Sequence, residues 1–536
     1  MARSSLMRLV QSLAARTRPA PETEREALRL AERRKAAARI AQAREQRRDL
    51  LRRGVALAAG SALIPSFAQA ASRTPTSSVV IVGAGLAGLT AATELAAHGV
   101  AASVYEASPR VGGRCLSERR AFDAGQIAER GGELVDTAHD DLIDLALRLG
   151  LTLDDLHAAT PKGTESVYWI AGRRYAEASA AADFAKLWPA LSRDARMLGD
   201  DLPTFVRFTR AQQALDRLTA REWLATRVPG GLASPLARLL ANAYVEELGA
   251  DLDEASAITV VDLLRDSPRD RVSPYEESDQ RYHIRGGNDL LVQRMAEPIA
   301  GRIDTGTRLT ALARKSDGRY RLTLAQNEAR RDLEADHVIL AMPFTLLSDV
   351  DLSSAGFRAR KLRAIRELGM GRNTKLQLQF SDRAWLAQRG NGETRVEDHY
   401  HVSWEVTRGQ AGTPGILNFY SGGTLASRAG DGAPEERARE VLAQIDQVYP
   451  GIAARWNSRV IRNPWDRYPW SRGSYSLIRP GQYTAFHGIE SLPEGRVHFA
   501  GEQSSAEWYG YMNGGVESGL RAAREVLAAM RVRRAA

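Results

Sequence analysis

The stretch SVVIVGAGLAG, residues 78–88, decides the fold of this chain. Its first five residues form a mostly β-branched run, which is typical of a strand buried on both faces of a parallel sheet. Gly83 permits a tight turn, Gly85 lets the backbone approach a pyrophosphate, and Gly88 allows a helix to pack closely on the strand. The stretch therefore predicts a strand, a turn and a helix whose N-terminus binds the phosphates of a dinucleotide.

An acidic residue follows at the separation that such a site requires. A helix is predicted over residues 89–98 and a second strand over residues 102–105, and this strand ends at Glu106. The carboxylate stands where it would accept hydrogen bonds from the adenosine ribose hydroxyls, and it disfavours the 2′-phosphate of NADP. A structural βαβ unit without a ligand is the alternative interpretation.

The sequence RVGGR at residues 110–114 resembles the segment that follows the ribose-binding acid in the flavin amine oxidase superfamily. By this resemblance the cofactor is FAD, Gly112 and Gly113 admit its pyrophosphate, and Arg114 pairs with it through charge-assisted hydrogen bonds. Many members have an arginine two residues after the acid. In this chain Ser108 stands at that position, so the contact that the arginine makes on the ribose side has no counterpart here.

Two segments near the C-terminus, FAGEQ at residues 499–503 and WYGYMNGGVESG at residues 508–519, resemble the flavin-binding segment of monoamine, polyamine and L-amino-acid oxidases. The resemblance implies that Gly501 and Glu502 bind the cofactor, with Glu502 at the ribityl chain. It also implies that the amides around Met512 face the pyrimidine edge of the flavin. A helix that starts at this edge would stabilise negative charge on the reduced ring.

The resemblance extends over most of the chain after Ser77 and implies an α/β fold of the amine oxidase and glutathione reductase kind. Further matches at residues 284–288 and 335–343 indicate a Rossmann-type FAD-binding domain assembled from discontinuous segments, with an inserted α+β substrate domain. The predicted FAD-binding segments are residues 77–150, 286–345 and 466–530, and the predicted substrate segments are residues 151–285 and 346–465.

Residues 371–378 resemble the strand that carries the family's active-site lysine, which holds a water beside flavin N5. Lys375 is the matching residue, and a buried lysine with a lowered pKa can order water for proton or oxygen chemistry. Tyr475 and Tyr511 align with two aromatic residues that flank the amine, and Trp508 is assigned to the same wall. Aromatic faces there can stabilise positive charge by cation–π attraction.

Residues 470–476 resemble the segment that bears, in mammalian monoamine oxidases, a cysteine tied to the flavin. Ser474 occupies the matching position, and a serine hydroxyl cannot form that thioether. The single cysteine of the chain, Cys115, belongs to a different motif. We therefore expect non-covalent FAD, and we expect no metal site.

The identity of the amine depends on the stretch ELVDTAH, residues 133–139. Many L-amino-acid oxidases have an arginine here that clamps the substrate carboxylate, whereas Leu134 stands at the matching position. An arginine from another segment could replace it. Glu133 and Asp136 are candidate substrate contacts, because an acid at a pocket mouth attracts a cationic amine. The alternative for Asp136 is an exposed, capped start of a helix over residues 142–149.

The resemblance implies oxidative deamination of a primary or secondary amine, either a monoamine or a polyamine, to an imine or aldehyde. FAD carries out the redox step, and reoxidation by oxygen gives hydrogen peroxide, with another electron acceptor as an alternative. An L-amino-acid oxidase is the second interpretation. A desaturase-like flavin enzyme and a flavoprotein without catalysis are further alternatives on the same fold.

The excess of positive over negative charge in the chain lies in its first 70 residues. The formal net charge is +9, and residues 1–70 carry 15 Lys and Arg against 6 Asp and Glu, so the rest is neutral in sum. The folded body therefore offers no global positive field to a nucleic acid, and no nucleic-acid partner is expected.

Residues 46–52, QRRDLLR, resemble the bacterial twin-arginine export motif, and an apolar run at residues 54–67 and small residues at 68–70 follow. This order is typical of a signal peptide, and the apolar run is too short to span a bilayer comfortably. We expect residues 1–70 to direct the folded protein to the periplasm through the twin-arginine export machinery, without a stable transmembrane segment. A solvated tail on a cytoplasmic protein and an organelle transit peptide are the alternatives.

Overall fold

A computed structural model of the protein describes residues 78–199, 201–265 and 278–535. The predicted signal segment, residues 1–70, lies outside the described residues. Among the described residues, no helix is both long and apolar enough to cross a membrane.

A five-stranded parallel sheet lies at the centre of the part that begins with the glycine turn. Its strands, in spatial order, are Val497–Phe499, His337–Leu340, Val79–Val82, Ala102–Glu106 and Ile303–Thr305. Val79–Val82 is buried throughout, as its apolar run predicts. The sheet is assembled from widely separated parts of the chain, which confirms the discontinuous Rossmann-type α/β fold expected from the sequence.

Two long helices cover this sheet and pack on each other. Leu86–Ala97 begins directly after the glycine turn, three residues earlier than predicted, and it contacts the C-terminal helix Met512–Ala535. Ile81 and Val104 of the sheet share one buried core with Val516 of the C-terminal helix. The starts of both helices are thereby fixed at one edge of the sheet.

A seven-stranded sheet forms the centre of the inserted part. In spatial order its strands are Trp456–Pro464, Asn373–Phe380, Gly415–Gly422, Val402–Glu405, Gly390–Arg395, Glu165–Ile170 and Arg173–Arg174. Neighbours are antiparallel except for the parallel pair Gly390–Arg395 and Glu165–Ile170.

The second strand of this sheet, Asn373–Phe380, is buried along its whole length. Successive side chains of a strand point to opposite faces. Leu376 and Leu378 therefore face an apolar core that they share with Leu442 of the helix Pro434–Val448, while Lys375 points to the other face.

Smaller elements complete the fold. Three antiparallel strands, Thr307–Arg314, Tyr320–Gln326 and Ala329–Ala335, form a separate sheet. Three two-stranded sheets pair Ser117–Glu118 with Ala128–Glu129, Leu153–Asp155 with Tyr282–Ile284, and Gly369–Met370 with Ser476–Leu477. The remaining α-helices are Asp140–Arg148, Leu156–Ala159, Glu177–Leu198, Arg210–Arg217, Ala220–Arg227, Pro235–Leu248, Ala257–Leu264, Leu290–Ala296, Phe344–Leu347, Ala359–Glu367, Ala384–Ala387, Gly423–Ala429 and Gln482–Ala485.

Candidate active site

A long cleft opens at the carboxyl ends of the parallel strands, where ligands bind in open α/β sheets. Its cavity volume is about 460 Å³, within the roughly 300–1,000 Å³ of ordinary small-ligand pockets. The predicted cofactor residues that line it are Gly83, Gly85, Glu106, Gly112, Gly113, Arg114, Gly501, Glu502 and Met512.

The glycine turn leaves space for a ligand at one position only. Gly83 has a φ of +106°, and a Cβ there would lie 2.5 Å from the carbonyl oxygen of Ala341. A Cβ on Gly88 would lie 1.9 Å from the carbonyl oxygen of Gly83, so this glycine serves the packing of helix on turn. A Cβ on Gly85 would meet no atom within 4 Å. Since Gly85 lines the cleft, this open space fits the close backbone approach of a pyrophosphate.

Glu106 is held in a fixed orientation at the end of its strand. The backbone N–H of Ala84 donates to Oε2 at 2.7 Å and that of Ser108 donates to Oε1 at 2.8 Å. Each carboxylate oxygen can accept a further hydrogen bond, so ribose hydroxyls fit here. The Ser108 hydroxyl donates to the carbonyl of Arg110 at 2.5 Å.

Arg114 and Glu502, which are far apart in the sequence, form an ion pair at the cleft. Arg114 Nη1 lies 2.8 Å from Glu502 Oε1 and 2.9 Å from the carbonyl oxygen of Ser474. The second oxygen of Glu502 accepts from the backbone N–H of Gly510 at 2.9 Å. The guanidinium predicted to pair with the pyrophosphate thus has a protein carboxylate as its partner.

The C-terminal helix begins at the cleft with Met512. The unpaired amides and the dipole of a helix start favour negative charge. Gly132 packs against the side chain of Met512, since a Cβ on Gly132 would lie 2.6 Å from the Met512 sulfur. Cys115, also at the cleft, is buried, and burial raises the pKa of its thiol to about 12, so it is not a reactive thiolate.

Lys375 is 1% exposed and is paired inside the protein. Its ammonium donates to Glu133 Oε2 at 2.5 Å and to the carbonyl oxygen of Glu129 at 3.1 Å, while the Trp404 indole N–H donates to Glu133 Oε1 at 2.8 Å. Burial by itself raises the pKa of Glu133, but Lys375 and Trp404 more than offset it and hold the pKa below its usual value. Glu133 of this pair follows Gly132, which lines the cleft.

The aromatic residues proposed for the active site occupy two places. Tyr475 is fully buried, and its hydroxyl donates to the carbonyl oxygen of Glu246 at 3.1 Å. Tyr511 lines the cleft, and Trp508 packs on it edge to face, with ring centroids 5.9 Å apart. His139, which the sequence did not single out, contacts both rings, at 4.7 Å from Trp508 and 5.2 Å from Tyr511.

Asp136 lies neither at a pocket mouth nor on an exposed helix start. It is 1% exposed, and its Oδ1 accepts from the backbone N–H of Gln280 at 2.6 Å. Its Oδ2 lies 3.2 Å from His139 Nε2. Burial first, and then the charge of Asp279, raises the pKa of Asp136 to about 7. The prediction of an exposed acid was wrong because Asp136 packs against Gln280 and His139, and the helix Asp140–Arg148 begins four residues later.

Most of the chain matches the model of a known protein family. Residues 86–527 match the model described as flavin containing amine oxidoreductase. The chain belongs to this family. The match begins at the helix that follows Gly85 and ends in the C-terminal helix, so it includes the cleft residues from Glu106 to Met512, while Gly83 and Gly85 lie just before it.

Individual members resemble this flavin amine oxidoreductase over most of their length. Flavin-containing amine oxidase A of Bos taurus is 25% identical over 84% of this chain and 85% of its own. The flavin-dependent L-tryptophan oxidase of Lentzea aerocolonigenes is 27% identical over 84% and 97%. Among solved structures, cyclohexylamine oxidase from Brevibacterium oxydans matches with a TM-score of 0.73 at 25% identity, covering 85% of this chain and 100% of its own. Putrescine oxidase bound to putrescine matches in fold, with a TM-score of 0.70 at 22% identity over 84% and 99%.

Sequence reasoning missed the polar side chains that share the sheet face of Lys375. Tyr420 stands opposite Lys375 in the register, and Asn418 stands opposite Gln377. Farther along the same row lies Arg395, which is 0% exposed. The linear sequence carries no signal for this set, because the register of distant strands brings it together.

Proposed function

We propose that this chain is an FAD-dependent amine oxidase that converts a primary or secondary amine to an imine, which water hydrolyses to an aldehyde. The proposal is carried by the buried Lys375–Glu133 pair, which adjoins the cleft-lining Gly132 in sequence and contains the residue that matches the family's active-site lysine. Bound FAD supplies the redox chemistry by accepting two electrons and a proton from the amine carbon, and oxygen then takes the electrons as hydrogen peroxide.

The residues around the pair have separate tasks in this proposal. Lys375 is held by Glu133 and a backbone carbonyl, so its remaining donor can hold a water in a fixed position. Tyr511, which lines the cleft, and Trp508, which packs on it, supply aromatic faces for the amine, and Tyr475 is assigned to the same task by its motif alone. Among the groups of His, Cys, Asp and Glu in the described residues, none is arranged to hold a metal ion.

Non-covalent attachment of FAD is part of the proposal. Ser474 stands at the position of the flavin-linked cysteine, and its hydroxyl donates to Asn373 Oδ1 at 2.5 Å. The Cys115 thiol, with its raised pKa, is a poor nucleophile. Acid precipitation should therefore release all the yellow colour into the supernatant, and flavin left in the pellet would contradict this.

An L-amino-acid oxidase is the second candidate function, and Arg395 favours it. A fully buried guanidinium on the sheet face of Lys375 could hold a substrate carboxylate in place of the arginine missing at Leu134. A desaturase-like reaction on the same fold is a third candidate.

One experiment separates these functions. The purified yellow protein is mixed without oxygen with a panel of monoamines, polyamines and L-amino acids, and the loss of flavin absorbance near its visible maximum is followed. We expect bleaching by amines and peroxide release when oxygen is admitted. Bleaching by α-amino acids alone would favour the second candidate, and no bleaching by any amine or amino acid would refute both.

We also propose that the protein acts in the periplasm after twin-arginine export, on the sequence pattern of residues 46–70 alone. Replacing Arg47 and Arg48 by lysine should leave active, FAD-loaded protein in the cytoplasmic fraction. Unchanged fractionation of this variant would contradict export by this route.

A further inference from the structure

Among the described residues, four arginines line the cleft, and only two of them are neutralised by the protein. The neutralised arginines pair with carboxylates, Arg114 with Glu502 at 2.8 Å and Arg472 with Asp349 at 2.5 Å. The other two, Arg308 and Arg330, are exposed, and no described residue forms an ion pair or a hydrogen bond with either guanidinium group. Both groups are therefore available to a ligand in the cleft.

The polar side chains that follow Glu106 are already bonded within the protein. The Ser108 hydroxyl donates to the carbonyl oxygen of Arg110 at 2.5 Å. The Arg110 guanidinium in turn donates to the carbonyl oxygen of Gly113 at 2.6 Å and to the Tyr468 hydroxyl at 3.0 Å. Side-chain contacts to a nucleotide beyond Glu106 must therefore come from another segment of the chain.

The two available arginines belong to the segment that lies beyond Glu106 along the cleft. In the parallel sheet, the strand that ends at Glu106 lies between the strand before the glycine turn and the strand Ile303–Thr305. Arg308 follows this last strand by three residues, and the N–H of Gly306 donates to the carbonyl oxygen of Ser108 at 3.0 Å. A dinucleotide with its pyrophosphate at the glycine turn and its ribose at Glu106 therefore extends its base towards Arg308.

Arg308 and Arg330 point to the same face of the three-stranded sheet. Ala325, on the middle strand, stands opposite both of them in the register, and residues directly opposite each other share a face. The outer strands lie roughly 10 Å apart, twice the usual spacing of neighbouring strands. Because the short side chain of Ala325 does not separate them, two arginine side chains at this spacing can contact the same planar group.

Adenine is the part of FAD that matches these two side chains. The glycine turn fits the pyrophosphate and Glu106 fits the ribose hydroxyls, so the base is the part that still needs a partner. A guanidinium group is planar, stacks on aromatic faces and donates hydrogen bonds. Adenine offers a flat face and ring nitrogens that accept hydrogen bonds.

We propose that Arg308 and Arg330 bind the adenine base of FAD by stacking of their guanidinium groups. This inference rests on FAD as the cofactor of the proposed function and does not depend on which amine is oxidised. It assigns recognition of the base to the three-stranded sheet. The contact distinguishes FAD from FMN, which has no adenine.

Equilibrium release of the cofactor from the FAD-loaded protein tests the proposal. Serial dilution, followed by flavin fluorescence, gives the Kd for FAD, and displacement of FAD by ADP or by FMN gives the Kd for each competitor. Arg308→Ala and Arg330→Ala should each raise the Kd for FAD about tenfold, the size of a cation–π contact. The Kd for ADP, which carries the adenine, should rise by the same factor, while the Kd for FMN should not change.

The matched control is Arg321→Ala. Arg321 is an exposed arginine on the middle strand of the same sheet, it lies 3.8 Å from Asp332, and it does not line the cleft. This variant removes the same charge from the same sheet, so its Kd for FAD should stay at the wild-type value. An equal rise in this variant would assign the effect to the net charge of the sheet and overturn the proposal.

Arg308→Lys and Arg330→Lys separate stacking from charge. Lysine keeps the positive charge but lacks the flat guanidinium, so each lysine variant should lose about as much FAD affinity as the alanine variant. Both arginines are exposed, so none of these replacements should prevent folding. A wild-type Kd for FAD in the lysine or the alanine variants, or an equal rise in the Kd for FMN, would overturn the adenine assignment while amine oxidation stands. A wild-type protein that binds no FAD would refute the proposed function itself.

Discussion

At the scale of single residues, Lys375 stabilises the protein as well as serving the proposed reaction, and the two roles can be separated. Lys375→Met leaves Glu133 as an unpaired buried carboxylate, which should lower the free energy of unfolding by about 3–5 kcal/mol. The same variant should slow flavin reduction or reoxidation by at least about tenfold. Chemical denaturation and stopped-flow absorbance measure the two effects.

The matched control is the double variant Lys375→Met with Glu133→Gln. Glutamine removes the buried charge but can still accept from the Trp404 indole, as Glu133 Oε1 does. Most of the lost stability should return, while the flavin kinetics stay slow. Recovery of both stability and rate would show that Lys375 only neutralises Glu133.

Residue identity alone did not reveal this pair. Lys375 was found from its motif, but its partner lies 242 residues away, in a stretch where Glu133 was predicted to contact substrate. Only the packing of the inserted sheet against the segment after Gly132 brings the two together. Asn418 could not be picked out from the sequence either. What distinguishes it shows only in the structure, where neither atom of its buried amide has a hydrogen-bond partner among the described residues.

At the scale of elements, the strand and glycine turn were predictable because they are local. The apolar run gave the buried strand Val79–Val82, and the glycines gave the turn. The helix start was misplaced to Leu89, because Gly88 disfavours a helix interior and hides that Leu86 is already helical. Position 88 must be glycine because the helix packs closely on the backbone of Gly83. Helix propensity, which depends only on local sequence, does not report such a contact.

Two glycines of this motif, Gly85 just before the helix and Gly88 in its first turn, predict opposite outcomes for one added methyl group. Gly85→Ala places its Cβ in open cleft space with φ of −75°, so the apoprotein should keep its melting temperature while FAD affinity falls at least about tenfold. Gly88→Ala drives its Cβ to 1.9 Å from the carbonyl oxygen of Gly83, so the apoprotein itself should lose about 2 kcal/mol or more. Differential scanning fluorimetry and FAD titration distinguish them. Equal loss of apoprotein stability in both would contradict the assignment of Gly85 to the cofactor.

At the scale of the whole molecule, the body of the chain has no net charge, so buried groups rather than global repulsion decide how stability varies with pH. Burial lowers the pKa of His139 and of His401 to about 3, so both bind protons more tightly when unfolded. These two histidines therefore lower the free energy of unfolding as the pH falls below the pKa of an exposed histidine, 6.5. Asp136 acts in the opposite sense, because its raised pKa makes the folded state bind the proton more tightly.

Asp136→Asn isolates this opposing effect. Between the unfolded pKa of 3.8 and the folded value of about 7, the wild type should lose stability as the pH rises, because only the unfolded chain ionises Asp136. Asparagine keeps an oxygen for the Gln280 amide but cannot ionise, so the variant should match the wild type near the acid end. At neutral pH and above, the free energy of unfolding of the variant should exceed that of the wild type by on the order of 2–4 kcal/mol. Urea unfolding across this range measures the difference, with Asp253→Asn, at an exposed ion pair, as a control that follows the wild-type profile. A difference that stays constant with pH would mean that Asp136 is already ionised in the folded protein, and its pair with His139 would then be an ordinary buried ion pair.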